Sequence, residues 1–318
     1  MMKRLFVVVC LLAGWVTACF AQSDEYLKKK NVPDTILQNR TLLLAGTFNA
    51  QKALLQLFPG KYYNLTKDSY RNELINWECK TCKPKPYPDV NEDGNPVFPY
   101  PEGVATRLIN EMDFKDATGL QYKVISFNHS VFDEEGFQTS RFTGGLLGLA
   151  KFVLTDQGWK LRMFQPAIQA YGAFSKCPTP KPLLIGDDQY AFMIKHSNGP
   201  AGGPYYGDYF LVAGVNGGYQ QVMAAHNTER TEVGAEEGLS SWSSEYTVPA
   251  GDKKYFRDIV ITFKGTATAT DTDGLPDEVK SLLKGKKKIR FTAVKKYVYM
   301  GSSKGYQLQL PVKATLIN

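Results

Sequence analysis

From about residue 120 onward, the chain changes to short runs rich in β-branched and aromatic residues, separated by the polar and turn-forming residues Gly, Asp and Asn. That is the pattern of strands joined by turns. Runs at 120–127, 146–154, 159–164, 183–185, 190–196, 206–215, 219–225, 241–248, 256–263, 289–299 and 306–312 predict about eleven strands. Asp156-Gln157-Gly158, Gly186-Asp187-Asp188 and Asn216-Gly217-Gly218 have the composition of hairpin turns. Strands joined this tightly predict a mainly β fold, an antiparallel meander that closes as a sandwich, a barrel or a partial propeller to hide its edges. A loose recurrence of apolar strand, Gly-Asp turn and aromatic strand does not establish an internal repeat.

Before residue 120 the pattern differs. Residues 42–48 suit a short strand, and 49–58 predict a helix with Asn49 at its cap and Pro59-Gly60 as its stop. Residues 84–101 then hold six prolines, too many for a regular element. The expected organisation is a small N-terminal α+β segment over 22–83, a Pro-rich connector over 84–102 and the antiparallel β domain over 103–318. A second short helix, 277–283, breaks the meander behind Pro276.

The extreme N-terminus reads as a signal peptide over 1–21: Lys3 and Arg4, an apolar run over 5–16, then the small-residue stretch Thr17-Ala18-Cys19-Phe20-Ala21. The apolar run has about twelve residues against the roughly twenty of a membrane span, so an exported protein with no transmembrane helix is expected, destined for the periplasm, cell surface or medium. Cleavage after Ala21 would release a soluble chain. Val16-Thr17-Ala18-Cys19 resembles a bacterial lipobox, and that resemblance implies acylation of Cys19 and a lipid anchor.

Composition narrows the partners. With 43% hydrophobic and 13% aromatic residues the chain can build a core. The net charge of +7 falls to +5 without Lys3 and Arg4, 36 basic residues facing 31 acidic. Export and so small an excess argue against nucleic acid; the basic runs 28–30 and 284–288 read as a chain terminus and a solvated turn. The partners expected are an envelope polymer, a carbohydrate or a protein. Cys79 and Cys82 have the C-x-x-C spacing, but 83–88 behind them carries three prolines and cannot start the helix a redox motif uses. A disulfide that includes one or both of them is expected.

Two acidic loops suit calcium. Asp89-Val90-Asn91-Glu92-Asp93-Gly94 follows the first half of a D-x-[DN]-x-[DN]-G loop, with Asp89, Asn91 and Asp93 as donors, although Tyr100 stands where the twelfth-position carboxylate belongs. Asp271-Thr272-Asp273-Gly274-Leu275-Pro276-Asp277-Glu278 resembles the D-x-D-G-x-x-D-E stretch of thrombospondin type 3 repeats, which implies Asp271, Asp273 and Asp277 as ligands. The same residues suit a turn followed by a helix start. Calcium is the one cofactor these loops point to.

Catalytic motifs are missing: there is no G-x-S-x-G, H-E-x-x-H or Walker loop. His129, His196 and His226 read as strand-end residues, and Ser281-Leu282-Leu283-Lys284 as a chance S-x-x-K match. The acid groups 133–135, 187–188 and 236–237 would be the carboxylates of a glycosidase, if any are. In the Gly-rich loop 199–208, Tyr205 and Tyr206 suit stacking on a ligand, or the start of the next strand. The expectation is a non-catalytic envelope or extracellular binding or structural protein; the alternative is a secreted glycosidase- or peptidase-like hydrolase.

Overall fold

The computed structural model describes residues 27–64, 73–91, 96–131, 141–232 and 239–317. Among them the chain is mainly β, and a curled half-barrel sheet packs on an antiparallel sheet in a sandwich-like arrangement.

The first sheet is built from β1 (Lys30–Asn31), β2 (Leu43–Leu44), β3 (Lys61–Asn64) and β4 (Glu73–Glu78), then, past a two-stranded ribbon of β5 (Lys85–Pro86) and β6 (Val97–Phe98), from β7 (Val104–Lys115), β8 (Gln121–Val131), β9 (Gly145–Thr155), β10 (Gly158–Gln165) and β11 (Ala170–Tyr171). Its order is β1-β4-β7-β8-β9-β10-β2, antiparallel except where β1 runs parallel to β4. Because β4 pairs with β7, Ile75 opposite Thr106, the Pro-rich stretch joins two neighbouring strands of one sheet.

Helix α1 (Ala50–Leu57) lies against this sheet. The Asn49 side chain accepts from the Lys52 N–H at 2.8 Å, a cap worth about 1 kcal/mol. Ala50, Ala53, Leu54 and Leu57 form its buried face at helical spacing and meet Ile75, Trp77, Phe127 and Phe152. β9 is buried on both sides: Leu146, Ala150 and Phe152 face the helix, while Leu147 and Leu149 face the second sheet. Gly148 is required there, since a Cβ would fall 2.1 Å from the Phe127 ring. A polar chain runs through this core. Trp77 Nε1–H donates to Thr106 Oγ1 at 2.7 Å, Thr106 stands 2.7 Å from His129 Nδ1, and His129 Nε2 is 2.9 Å from the Pro166 carbonyl. The carbonyl requires Nε2–H, leaving Nδ1 to accept from Thr106. Full burial holds the His129 pKa down at about 3, against the small upward pull of the Pro166 bond.

The second sheet is the meander β12 (Lys181–Gly186), β13 (Gln189–Asn198), β14 (Tyr205–Val215), β15 (Gly218–Thr231), β16 (Ser241–Thr247), β17 (Ile259–Thr268), β18 (Lys288–Tyr299) and β19 (Tyr306–Leu316), each strand paired with the next. Asp188, Asn216 and Gly217 take positive φ in the hairpin turns, as their side chains allow. Phe192, Ile194, Phe210, Val212 and Tyr219 pack on Met112, Phe114, Tyr122 and Val124 to form the layer between the sheets. The other face of the second sheet encloses a separate core with α2 (Asp277–Leu282), through Phe263, Phe291, Leu275 and Val279. This sheet curls far enough for the turn between β18 and β19 to reach β15. Gln220 Nε2 donates to the Ser302 carbonyl at 3.3 Å, and Gly305 lies so close that a Cβ there would sit 2.3 Å from the Val222 carbonyl oxygen. Among the described residues no helix is long and apolar enough to cross a membrane.

Candidate functional site

Asp89 is buried and acts as a knot. Its Oδ1 accepts from the Asn91 N–H and Nδ2 at 2.9 and 2.8 Å, and its Oδ2 accepts from the Gly144 N–H at 2.8 Å. Asn91 donates on to the Gly172 carbonyl and accepts from Asn198 Nδ2, tying the loop to the second sheet. Asp93 lies outside the described residues, as do Cys19 and the acid groups 133–135 and 236–237.

The second acidic loop is organised by a residue that sequence reasoning did not single out. Arg230, its side chain only 4% exposed, donates from Nη1 to Asp271 Oδ1 at 2.8 Å, and its Nε faces Glu232 at 3.1 Å. Asp271 Oδ2 accepts from the Ser240 N–H. The Arg230 guanidinium lies over the Tyr206 and Trp242 rings, 5.5 and 5.8 Å from their centroids. Tyr206 O–H donates to Asp273 Oδ2 at 2.5 Å, so Tyr206 belongs to this network, while Tyr205 sits under Arg141 at 5.3 Å. Asp277 is exposed beside Lys280. The described acids of the calcium reading, Asp89, Asp271, Asp273 and Asp277, therefore each face a different protein partner. Among the described residues no group of three or more His, Cys, Asp or Glu side chains is placed to hold a metal ion. Cys79 and Cys82 are joined in a disulfide, and Cys177 is a buried thiol whose pKa is raised by burial.

A different cluster forms where the second sheet fails to close. β15 pairs with β14 along most of its length but meets β16 only at Arg230 opposite Trp242. Between β15 and the β18–β19 hairpin lies an open groove of about 730 Å³, lined by Gln220, His226, Asn227, Lys295, Tyr297 and Gln307 among others. Asp208 on β14 orders its rim. Its Oδ1 accepts from the Asn227 N–H at 2.8 Å, and its Oδ2 is 3.1 Å from His226 Nδ1. The His226 side chain is 63% exposed, so this imidazole is held in place yet reachable.

Lys295 is the most unusual member. Phe291, Ala293 and Tyr297 on its strand belong to the core on that face, and Lys295 continues their alternation. Its ammonium donates to the His226 carbonyl at 3.4 Å and lies 4.8 Å from the centroid of the Phe263 ring. Among the described residues it makes no ion pair. Burial lowers its pKa, with Glu278 and Asp208 pulling the other way through space. Tyr297 is pushed up to about 12, by burial first and then by Asp208, and stays a neutral hydroxyl. The signal in the sequence was a lysine at an inward position of a β-period run, a placement that carries a desolvation cost a solvated lysine avoids. The chain matches no protein-family model, no curated protein and no solved structure in the three comparisons made.

Proposed function

We propose that this chain is an exported, non-catalytic binding protein of the envelope or extracellular space, and that the groove between β15 and β18 takes a polar, polyhydroxylated ligand such as a segment of glycan. The observation that carries this reading is the groove itself: amides from Gln220, Asn227 and Gln307, the ammonium groups of Lys295 and Lys304 and the His226 imidazole, set against the Tyr297 ring. Amides and an aromatic face suit hydroxyl-rich rings, and the Lys295 ammonium, without a carboxylate partner among the described residues, favours a ligand that carries an acid group. The Cys79–Cys82 disulfide supports an oxidising compartment.

Titration calorimetry with neutral and uronic-acid oligosaccharides tests the reading. The wild type should bind the acidic oligomers, and Lys295→Gln should weaken them about tenfold, roughly the worth of one charge-assisted hydrogen bond. No heat with any oligomer would refute it.

A second reading, a secreted hydrolase, is favoured by the His226–Asp208 pair, since a carboxylate on Nδ1 orients an imidazole as a general base. Of the loop carboxylates expected for that role, Asp187 is engaged with Arg257 at 2.5 Å, and the groups at 133–135 and 236–237 lie outside the described residues. Release of new reducing ends from the same oligomers, abolished in His226→Ala, would decide for the hydrolase.

A further inference from the structure

A second groove, of about 520 Å³, opens on the first sheet at the β9–β10 hairpin, away from the groove just described. Its polar lining is almost wholly cationic: Lys151 on β9, Lys160 and Arg162 on β10. Register places Lys160 opposite Val153 and Met163 opposite Lys151, so the three cations are close neighbours on two paired strands. Arg162 is the extra residue where the register slips between Leu161 and Met163, and a bulge of this kind re-aims a side chain.

None of the three makes an ion pair with a carboxylate among the described residues. Lys151 is half-buried with its ammonium 3.8 Å from the centroid of the Tyr122 ring. Burial lowers its pKa, Asp116 counters this from a distance, and the nearby Arg162 lowers it further. Asp116 acts on the group only through space: no ion pair joins the two, and its Oδ1 accepts from Thr118 and Leu120. The remaining wall is aliphatic: Leu120, 43% exposed, with Val153 and Met163. Like charges held together without a counter-ion repel, and a dianion that enters relieves the repulsion. A guanidinium fork beside two ammonium groups matches the oxygens of a phosphate monoester, and the aliphatic wall suits a ligand with a hydrocarbon portion.

We infer that the β9–β10 groove binds a phosphate monoester, with Arg162, Lys160 and Lys151 around the phosphate and Leu120, Val153 and Met163 along the organic part. The group could arrive as a soluble ester or as a lipid headgroup, which the experiment separates. The whole protein is titrated with glycerol 3-phosphate, and separately sedimented with phosphatidylcholine vesicles that do or do not contain phosphatidic acid. At least one phosphate probe should bind, more weakly as salt rises, and Arg162→Ala and Lys160→Ala should each lose about tenfold. Both side chains are exposed, so neither change threatens folding. Lys151→Met keeps the stem over Tyr122 and should lose binding as well, whereas Lys295→Gln should not. Binding of glycerol 3-phosphate supports the soluble source; sedimentation with phosphatidic-acid vesicles alone supports the lipid source. Failure of both probes, or binding undiminished in Arg162→Ala, overturns the inference.

Discussion

Arg230 and Asp271 stand 2.8 Å apart on β15 and on the turn before α2, separated by 41 residues in sequence, with the guanidinium 4% and the carboxylate 15% exposed. The pair fastens the acidic loop to the sheet where β15 and β16 touch at a single register position. Removing one partner of a buried pair leaves the other charge uncompensated. Arg230→Met should therefore lower the free energy of unfolding by about 3 kcal/mol, measured by urea titration. A loss below about 1 kcal/mol would mean that the pair behaves as a surface contact.

The same geometry bears on calcium. Asp271 and Asp273 already accept hydrogen bonds from Arg230, Ser240 and Tyr206, and recruiting them to an ion would cost those bonds. Melting curves with millimolar calcium and with a chelator should coincide. A calcium-dependent rise of several degrees would show that the loop rearranges around the metal.

His129 sets a pH dependence. The group binds a proton at about 3 in the folded chain and near 6.5 when unfolded, so acid favours the unfolded state. Its contribution is complete above about pH 6.5 and is lost towards pH 3 at about 1.4 kcal/mol per pH unit. Urea titrations across this range, wild type against His129→Gln, should differ in slope by about one proton. Parallel curves would contradict the buried neutral imidazole.

Gly305 shapes the groove between β15 and the β18–β19 hairpin. With φ at +62° and the Val222 carbonyl 2.3 Å from where a Cβ would be, Gly305→Ala must push the hairpin off β15. Gly301, at φ +100° but with nothing within 4 Å, suffers only the backbone strain. The Ala variant at 305 should melt several degrees below the one at 301, and should bind oligosaccharide more weakly. Equal melting temperatures would place the hairpin clear of β15.

Much of the strand pattern was legible because β-branched and aromatic residues cluster in strands while Gly, Asp and Asn mark the turns between them. The run at 146–154 lies within Gly145–Thr155, that at 206–215 nearly coincides with Tyr205–Val215, and the helix expected over 49–58 is Ala50–Leu57 with its Asn49 cap. β7 went unseen because Arg107, Asn110, Glu111 and Asp113 break up its apolar positions. The run at 256–263 begins late, at Ile259, because Phe256 turns to positive φ and stacks on Tyr299 with 3.9 Å between ring centroids.

Strand composition, turn residues and the helix cap are local, and the sequence by itself determined them: a mainly β chain of short strands with hairpin turns. Pairing across long separations is not local. That β4 would join β7 past six prolines, that Arg230 would claim the acids of the 271 loop, and that Lys295 would meet His226 in an open groove were decided by the tertiary structure alone. Those contacts arise only when the sheets curl and pack, and a side chain's burial, partner and charge state follow from that packing.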